Sequence, residues 1–442
     1  MPAAPSRLPF ALFFALASVA CGGDESASEA PGLEGGDADL AWTAEEVYSL
    51  GGFEAIDWDA FGDVSGVGFD GDGNLYVLDS QAVRVHKIAS SGELVRSFGS
   101  QGEGPGELNR PESMVVFPDG RVAVYDFGKF GWVRYDTEGE WIEDVTIDDP
   151  GTMQLLGNFS VAGGDAVFAE VVGEIRMNRG GGGEDVEAGG DGEAEESGPP
   201  VVRVALAEGA EATTVYRGWE PPEPEGPESE FSASSDAGNT MQIRMSPLRA
   251  FEPGLLLSGL PGGGFVVVDS TAYDVEIRDA SGELVGAISR PIPPVVVTES
   301  IREAERGRRI AEVEEREQRG DQTGGVRLLG GGGAADLDMS GMNRMMRERI
   351  ENMTFYPEIP VIEALATDPD GRVWIQRSSG EPGEDGPTDI VRTDQTYVGT
   401  LPADGIRTPD AFGPGGLAAW IETDEYDAQR IVVKRIVEGG GD

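Results

Sequence analysis

Three aspartates recur at equivalent positions of the sequence and are its first candidates for chemistry. Each follows a turn glycine by six residues and precedes another glycine by thirteen. The glycine–aspartate pairs are Gly73 and Asp79, Gly120 and Asp126, and Gly263 and Asp269. Carboxylates can bind divalent cations or transfer protons. However, equivalent positions of a repeat are spread around a fold, so we interpret these residues as structural turn and capping residues and predict no metal site.

Two further residues of reactive type each occur once, namely His86 and Cys21. A single histidine rules out multi-histidine zinc sites and leaves a Ser-His-Asp triad without support. Alternation along VRVHKI places His86 on the face opposite Val83 and Val85, which predicts a solvent-exposed histidine. The turn at residues 70–74, DGDGN, begins like a calcium loop but lacks the later glutamate, so we predict a plain hairpin turn. No catalytic residue can be assigned from these patterns.

The recurring residues belong to a repeat of four short strands. Residues 67–99 read as two successive β-hairpins, with runs of Val, Leu, Ile and Tyr between turn glycines. Weaker copies begin at Gly164, Gly371 and Gly416, and the six turn glycines are spaced by 47, 44, 99, 108 and 45 residues. Three of these intervals match the period of a four-stranded propeller blade, and the two longer ones require insertions.

The two ends of the chain complement each other. The last copy ends after a third strand at residues 430–437, whereas residues 45–50 resemble a fourth strand, ELVRSF, of the first copy. We therefore predict an all-β fold, a six-bladed β-propeller closed by an N-terminal strand, with a helical insertion between blades four and five. The propeller spans residues 45–442 and is expected to be a monomer.

The connector between blades one and two resembles that of the NHL-repeat family of six-bladed propellers. The residues that carry this resemblance are Gly102, Gly104, Pro105, Gly106, Leu108, Pro111, Gly120 and Asp126. The resemblance covers roughly residues 45–440 without the insertions, and it implies the fold far more than an activity.

Three insertions interrupt the repeats. Residues 176–199 are rich in Gly and Glu and are predicted to be disordered, and residues 219–239 form an acidic, Pro-rich loop. Residues 298–352 contain helical patterns at 299–318 and 338–352, the second with a methionine stripe. This helical insertion is either a cap that packs on the blades or a lid with an adaptable binding surface.

The N-terminus has the pattern of an export signal. Residues 1–20 form a signal peptide whose apolar run ends at Ser18-Val19-Ala20-Cys21, which resembles a bacterial lipobox. We predict lipidation of Cys21, with residues 21–44 as an acidic flexible tether, and location on the periplasmic side of a membrane or on the cell surface. The alternative is ordinary signal cleavage that leaves a free cysteine.

The charge balance excludes some partners. The formal net charge is −48, with 81 Asp and Glu against 33 Lys and Arg. Nucleic acid and anionic lipid both reward cationic surfaces, so neither is expected as a partner. The acidity fits solubility or, alternatively, a surface that binds cations or bases.

Two functions remain open. The first is a lipid-anchored binding or scaffold module for a protein, peptide or glycan, without a cofactor and without enzymatic activity; a sensor of small ligands in the channel is a variant of it. The alternative is a metal-dependent lactonase-like or esterase-like hydrolase, with carboxylates and a divalent cation in the central channel.

Overall fold

Six antiparallel four-stranded sheets form the core of this computed structural model. The structure describes residues 33–439 except for 56, 147–151, 177–197, 207–211, 223, 225, 227–228, 235–239, 246, 319–339, 425 and 427. The predicted signal peptide, Cys21 and most of the insertion at 176–199 therefore lie outside the described residues. Strands and helices are numbered below in chain order.

The first half of the chain forms the N-terminal strand and three blades. Strand β1 spans Thr43–Gly51. Blade one contains β2 (Val64–Phe69), β3 (Leu75–Asp79), β4 (Arg84–Ile88) and β5 (Leu94–Phe98). Blade two contains β6 (Pro111–Val116), β7 (Val122–Asp126), β8 (Gly131–Tyr135) and β9 (Trp141–Thr146). Blade three contains β10 (Thr152–Val161), β11 (Ala166–Arg176), β12 (Pro200–Ala205) and β13 (Ala212–Arg217).

The second half holds the insertions and the other three blades. Before blade four come a hairpin, β14 (Ser229–Ser234) and β15 (Thr240–Met245), and the short β16 (Arg249–Ala250). Blade four contains β17 (Leu256–Gly259), β18 (Phe265–Val268), β19 (Asp274–Arg278) and β20 (Leu284–Ser289). There follow β21 (Val295–Val296), α1 (Glu299–Gln318), α2 (Ser340–Glu351), β22 (Thr354–Phe355) and β23 (Glu358–Ile359). Blade five contains β24 (Ile362–Thr367), β25 (Arg372–Ser378), β26 (Asp385–Arg392) and β27 (Tyr397–Leu401). Blade six contains β28 (Ala411–Phe412), β29 (Leu417–Thr423) and β30 (Gln429–Val437) together with β1.

Burial of the second strand in each blade explains why the repeat folds as it does. Strands β3 and β7 are buried at every position, because apolar residues on both of their faces pack against the neighbouring blades. In the described part of the chain, six hydrophobic clusters lie between successive blades, including the one that joins blade six to blade one. These clusters complete the six-bladed ring predicted from the sequence.

Strand β1 is the outermost strand of blade six. It pairs antiparallel with β30, with Glu45 opposite Arg435 and Leu50 opposite Ile431. The N-terminal strand thus covers the edge of the last sheet, as its resemblance to a fourth strand predicts.

The segment before β1 lies against the ring, although we expected residues 21–44 to be a flexible tether. Leu40 and Trp42 pack against the apolar cluster between blades five and six. Asp39 forms an isolated parallel bridge with Thr400. The difference arises because residues 33–44 include apolar side chains that the blades can bury.

The insertions also differ in part from the prediction. The segment at 219–239, expected to be a loop, contributes β14 to a hairpin with β15. Helices α1 and α2 lie between β20 and β24, at the predicted place, and pack on each other and on residues 248–251 through Val313, Ile350 and Met353. Within the described residues, neither helix has the length and apolar character needed to cross a membrane.

Candidate functional site

Two of the repeated aspartates, Asp79 and Asp126, hold the segment that enters their own blade through backbone hydrogen bonds. Asp79 accepts bonds from the backbone N–H groups of Gly62 (2.9 Å), Asp63 (3.2 Å) and Ala82 (2.9 Å). Its carboxylate therefore joins the turn after β3 to the segment that enters β2. The turn glycine of this repeat, Gly73, has a φ of 83°, which an L side chain adopts only with strain.

Asp126 has the same role in blade two. It accepts bonds from the N–H groups of Asn109 (2.6 Å), Arg110 (3.0 Å) and Lys129 (3.2 Å). Asp269 differs, because it accepts bonds from the Tyr216 hydroxyl and the Trp219 N–H, both at 2.7 Å. The three carboxylates lie in three different blades and make no common site.

Clusters of metal-ligand residues do not form in the part of the chain that the structure describes. No three His, Cys, Asp or Glu side chains there come close enough together to hold a metal ion. The channel carboxylates that the hydrolase hypothesis requires are therefore not gathered as a set of three or more among these residues.

His86 is buried, which corrects the prediction of an exposed histidine. The residue is 5% exposed, and its Nδ1 lies 2.8 Å from the Ser97 hydroxyl oxygen. The rings of Trp58 and Phe61, in the segment before β2, lie 6.0 and 5.9 Å from the imidazole ring. That segment folds over the outer half of blade one, and alternation within β4 could not reveal this cover. Burial lowers the pKa of His86, and the nearby Arg84 charge lowers it further, while Asp79 opposes the shift.

A cavity lies between blades four and five, beneath α1. It has a volume of about 570 Å³ and is lined by β17, β24 and β25, by helix α1 through Glu305 and Arg308, and by the loop at residues 381–385. Arg308 packs on Gly383, where an added Cβ would lie 2.9 Å from the arginine Cδ. Helix α1 and this loop thus form opposing walls, and the helical insertion contributes directly to the cavity.

A second cavity, of about 500 Å³, is lined by the first strands of blades three to six and by residues 407–410. Because the first strands of the blades surround the axis of a propeller, this cavity lies toward the central channel. Both cavities share Ala364, Gln376 and Asp385 in their linings. The central channel and the cleft beneath α1 therefore meet at Gln376.

At this junction one amide links two carboxylates. Gln376 is 7% exposed, and its Nε2 donates to Glu363 Oε1 at 3.1 Å and to Asp385 Oδ1 at 3.4 Å. Glu363 lies at an irregularity in the pairing of β24 with β25, where Ile362 and Ala364 are opposite consecutive residues. Such a bulge turns the side chain out of the regular alternation, here toward the cavity.

The electrostatic environment of Glu363 differs from that of an ordinary surface carboxylate. Although Glu363 as a residue is exposed, partial desolvation of its carboxyl raises the pKa of Glu363, and the charge of Asp385 raises it further, while the hydrogen bonds from Gln376 and from the Gly386 N–H oppose the shift. A carboxyl with a raised pKa beside a second carboxyl is a candidate for giving or taking a proton.

Some charged side chains that line the cavity form ion pairs, whereas others do not. Arg308 binds Glu305, with Nε and Oε2 2.8 Å apart, and also binds Glu312. By contrast, four carboxylates of the lining form no ion pair with any described residue: Glu363, Glu381, Glu384 and Asp385. The cavity is therefore negatively charged.

None of the three residues at the junction, Glu363, Gln376 and Asp385, was predicted from the sequence, although the sequence carries a signal for Gln376. The residue five positions after the turn glycine is apolar or aromatic in five blades and polar only in blade five, where it is Gln376. Its counterparts are Leu78, Tyr125, Ala169, Val268 and Ile421. A single amide at a core position of a repeat indicates a local function rather than a structural requirement.

Comparison with known proteins finds solved structures of low sequence identity to this chain. No protein-family model and no curated protein matches it. A provisionally named exported protein of Bacteroides fragilis is 10% identical, with a TM-score of 0.42, over 91% of this chain and 97% of that one. Virginiamycin B lyase of Staphylococcus aureus is 10% identical (TM-score 0.37; 88% and 99% covered), and a gluconolactonase of Xanthomonas campestris is 11% identical (TM-score 0.37; 91% and 98% covered).

Proposed function

We propose that this protein is an extracytoplasmic binding module that holds its ligand in the cleft between blades four and five. The observation that carries the proposal is the meeting of two cavities at the nearly buried side chain of Gln376. Cavities of several hundred cubic ångströms with a few convergent polar groups are typical of ligand sites. A side chain or a short extended segment, from a peptide or a glycan, could enter beneath α1 and point toward the channel.

Export and membrane attachment belong to the same proposal and depend on the sequence. The apolar run at residues 8–20 followed by Cys21 supports signal-directed export with a lipid anchor. Mass spectrometry of protein extracted from membranes would then show acyl chains on Cys21. A mature chain without acylation, released into the soluble fraction, would remove the anchor from the proposal.

The cleft can be tested by substitution at its centre. We expect Gln376→Leu to fold, because five other blades carry an apolar or aromatic residue at this position, and to lose ligand binding. Peptide and glycan panels, screened by saturation-transfer NMR on the wild type and the variant, measure this. A ligand that binds both proteins equally well would place the binding site elsewhere on the propeller.

The pairing of Glu363 with Asp385 favours a second candidate, an acid–base hydrolase or lyase. The raised pKa of Glu363 suits a general acid, and Asp385 is available as its base partner. Lactone and ester panels, assayed with and without a chelator, test this candidate. Turnover that is lost in Glu363→Gln and keeps its rate in the chelator would favour it over the binding module; turnover that needs a metal would favour the metal-dependent version.

A further inference from the structure

We infer that the ligand of this cleft carries a primary ammonium or guanidinium group, which binds at Glu363, Asp385 and the carboxamide oxygen of Gln376. The inference rests on the proposed function and specifies the chemical class of its ligand. It depends on the orientation of one buried amide, on the charges around it and on the space beside it.

The orientation of Gln376 leaves an acceptor directed at the cavities. Both hydrogens of Nε2 are used, one toward Glu363 and one toward Asp385. The oxygen Oε1 accepts no hydrogen bond from any described residue, although more than nine-tenths of the residue is buried and it lines both cavities. Oε1 is not among the fully enclosed polar atoms without a partner, so it faces the open space of the cavities, where a ligand donor can replace water.

The remaining polar atoms at the junction are acceptors too. Asp385 Oδ2 has no donor among the described residues, and Glu363 retains lone pairs beyond those used by Gln376 and Gly386. An ammonium group offers three donors and no acceptor, and a guanidinium offers five. Either group can therefore satisfy all three side chains at once, which an anion or a hydrocarbon cannot.

Charge favours the same class of ligand. Within the described residues, four carboxylates of the lining have no cationic partner, and the single arginine of the lining is already paired with two glutamates of α1. A cationic ligand would relieve the repulsion between the carboxylates of Glu363 and Asp385. The hydrogen bonds that Gln376 donates to both carboxylates offset this repulsion only in part.

A metal ion fits this geometry less well than an organic cation. The amide presents N–H groups, not its oxygen, to both carboxylates, so it occupies the position that a shared metal ion would take. A metal would require the amide to turn over and would then gain only two carboxylates, fewer than hard cations usually recruit.

Matched probes can test the inference. Nα-acetyl-lysine methylamide, Nα-acetyl-arginine methylamide and spermidine carry the cation, whereas Nα-acetyl-norleucine methylamide has the lysine stem without the charge. We expect the three cations to bind to the full-length protein and the norleucine probe not to bind. We also expect binding to weaken at high salt, because the site remains open to solvent. Saturation-transfer NMR and calorimetry suit weak affinities of this kind.

Variants locate the site. Glu363→Gln and Asp385→Asn should each weaken binding of the cations about tenfold or more, since each removes one charge-assisted hydrogen bond. The matched control is Glu112→Gln, which changes the glutamate at the equivalent bulge of blade two, outside both cavities. It should leave affinity within about twofold, as expected for a substitution that touches no ligand.

Several outcomes would overturn the inference. Equal binding of the norleucine probe, or cation binding that survives both cleft substitutions, would show that charge at the junction is not recognised. Stoichiometric binding of Ca²⁺ alone, lost in Glu363→Gln, would replace the organic cation by a metal. If neutral peptides or glycans bind the wild type but not Gln376→Leu, the proposed function stands and this inference fails; if no probe of any class binds, both fail.

Discussion

Arg290 and Asp389 form an ion pair that is almost completely removed from water. Arg290 Nη1 lies 2.8 Å from Asp389 Oδ2, and the two side chains are 2% and 0% exposed. Arg290 follows the last strand of blade four, whereas Asp389 lies in β26 of blade five. The hydroxyl groups of Tyr273 and Thr400 also donate to Asp389, at 2.8 and 2.5 Å. This network joins the two blades whose interface contains the candidate site.

Removal of one member of this pair should destabilise the whole ring. Asp389→Ala leaves the buried Arg290 and the neighbouring Arg377 with only the partly exposed Asp37 as a carboxylate partner, so we expect a loss of about 3–5 kcal/mol in the free energy of unfolding. Urea unfolding of the full chain measures it. The exposed Glu93, replaced by alanine, is the control and should change stability by less than about 0.5 kcal/mol. An equally small effect at Asp389 would show that the pair contributes little.

The N-terminal segment should be held less firmly against the ring in acid. Partial burial raises the pKa of Asp37, but hydrogen bonds and ion pairs with Arg377 (2.6 Å) and Arg290 (2.9 Å) lower it more, so the net shift is downward. A lowered pKa contributes stability above the unfolded value of 3.8 that is lost as the pH falls through the folded value. Because Asp37 is partly exposed, we expect about 1 kcal/mol or less at neutral pH.

Comparison of wild type with Asp37→Asn isolates this contribution. The difference in their free energies of unfolding should be present at neutral pH and vanish once the carboxyl is protonated. Exchange of the Leu40 N–H, which donates to Thr400 O at 2.8 Å, reports locally on the same segment. A difference that does not change with pH would mean that Asp37 acts by packing and not by charge.

His86 should make stability depend on pH below neutrality. Its pKa is lowered in the fold, chiefly by burial, so the unfolded chain binds a proton below about pH 6.5 that the folded chain does not. The free energy of unfolding should therefore decrease as the pH falls below that value. The decrease is at most about 1.4 kcal/mol for each unit by which the pKa of His86 differs between the unfolded and folded states. The variant His86→Gln should not show this pH-dependent loss of stability. Parallel stability curves for the two proteins between about pH 7.5 and 5 would contradict the lowered pKa.

Glu363 should reduce stability at neutral pH, because its pKa is raised in the folded protein. A raised pKa means that the folded state binds the proton more tightly than the unfolded chain does. The contribution of Glu363 therefore becomes less favourable as the pH rises from its unfolded value of 4.5 through the folded value. We expect Glu363→Gln to be as stable as the wild type or more stable at neutral pH, with the difference absent in acid. Clear destabilisation at neutral pH would show instead that the carboxylate supports the structure.

The N-terminal strand should be essential for the closed ring. Leu50 of β1 is 7% exposed and packs in the cluster between blades six and one. Leu50→Ala should therefore cost about 2–5 kcal/mol in the free energy of unfolding. Val47, on the same strand but 41% exposed, is the matched control. Deletion of β1 should expose the edge of β30 and cause association, visible by light scattering. A monomeric, equally stable deletion would contradict the role of β1.

The sequence by itself determined the architecture, because the signals for it are local and repeated. Turn glycines at fixed distances from strand-ending aspartates define a blade, and their spacing counts six of them. The missing fourth strand of the last repeat and the spare strand near residue 45 together predict the closure. The helix at 299–318 follows from its composition in the same local way.

Only the tertiary structure decided what surrounds each polar side chain. Arg377 stands where other blades carry a turn carboxylate, but only the fold shows that it binds Asp37, 340 positions earlier in the chain. His86 alternates as an exposed residue would, yet the segment at 57–61 covers it. Gln376, Glu363 and Asp385 come from three strands of one blade and acquire a common cavity only when blade four and α1 pack beside them. Repeats specify their own strands, whereas the environment of a side chain depends on distant segments that no local pattern records.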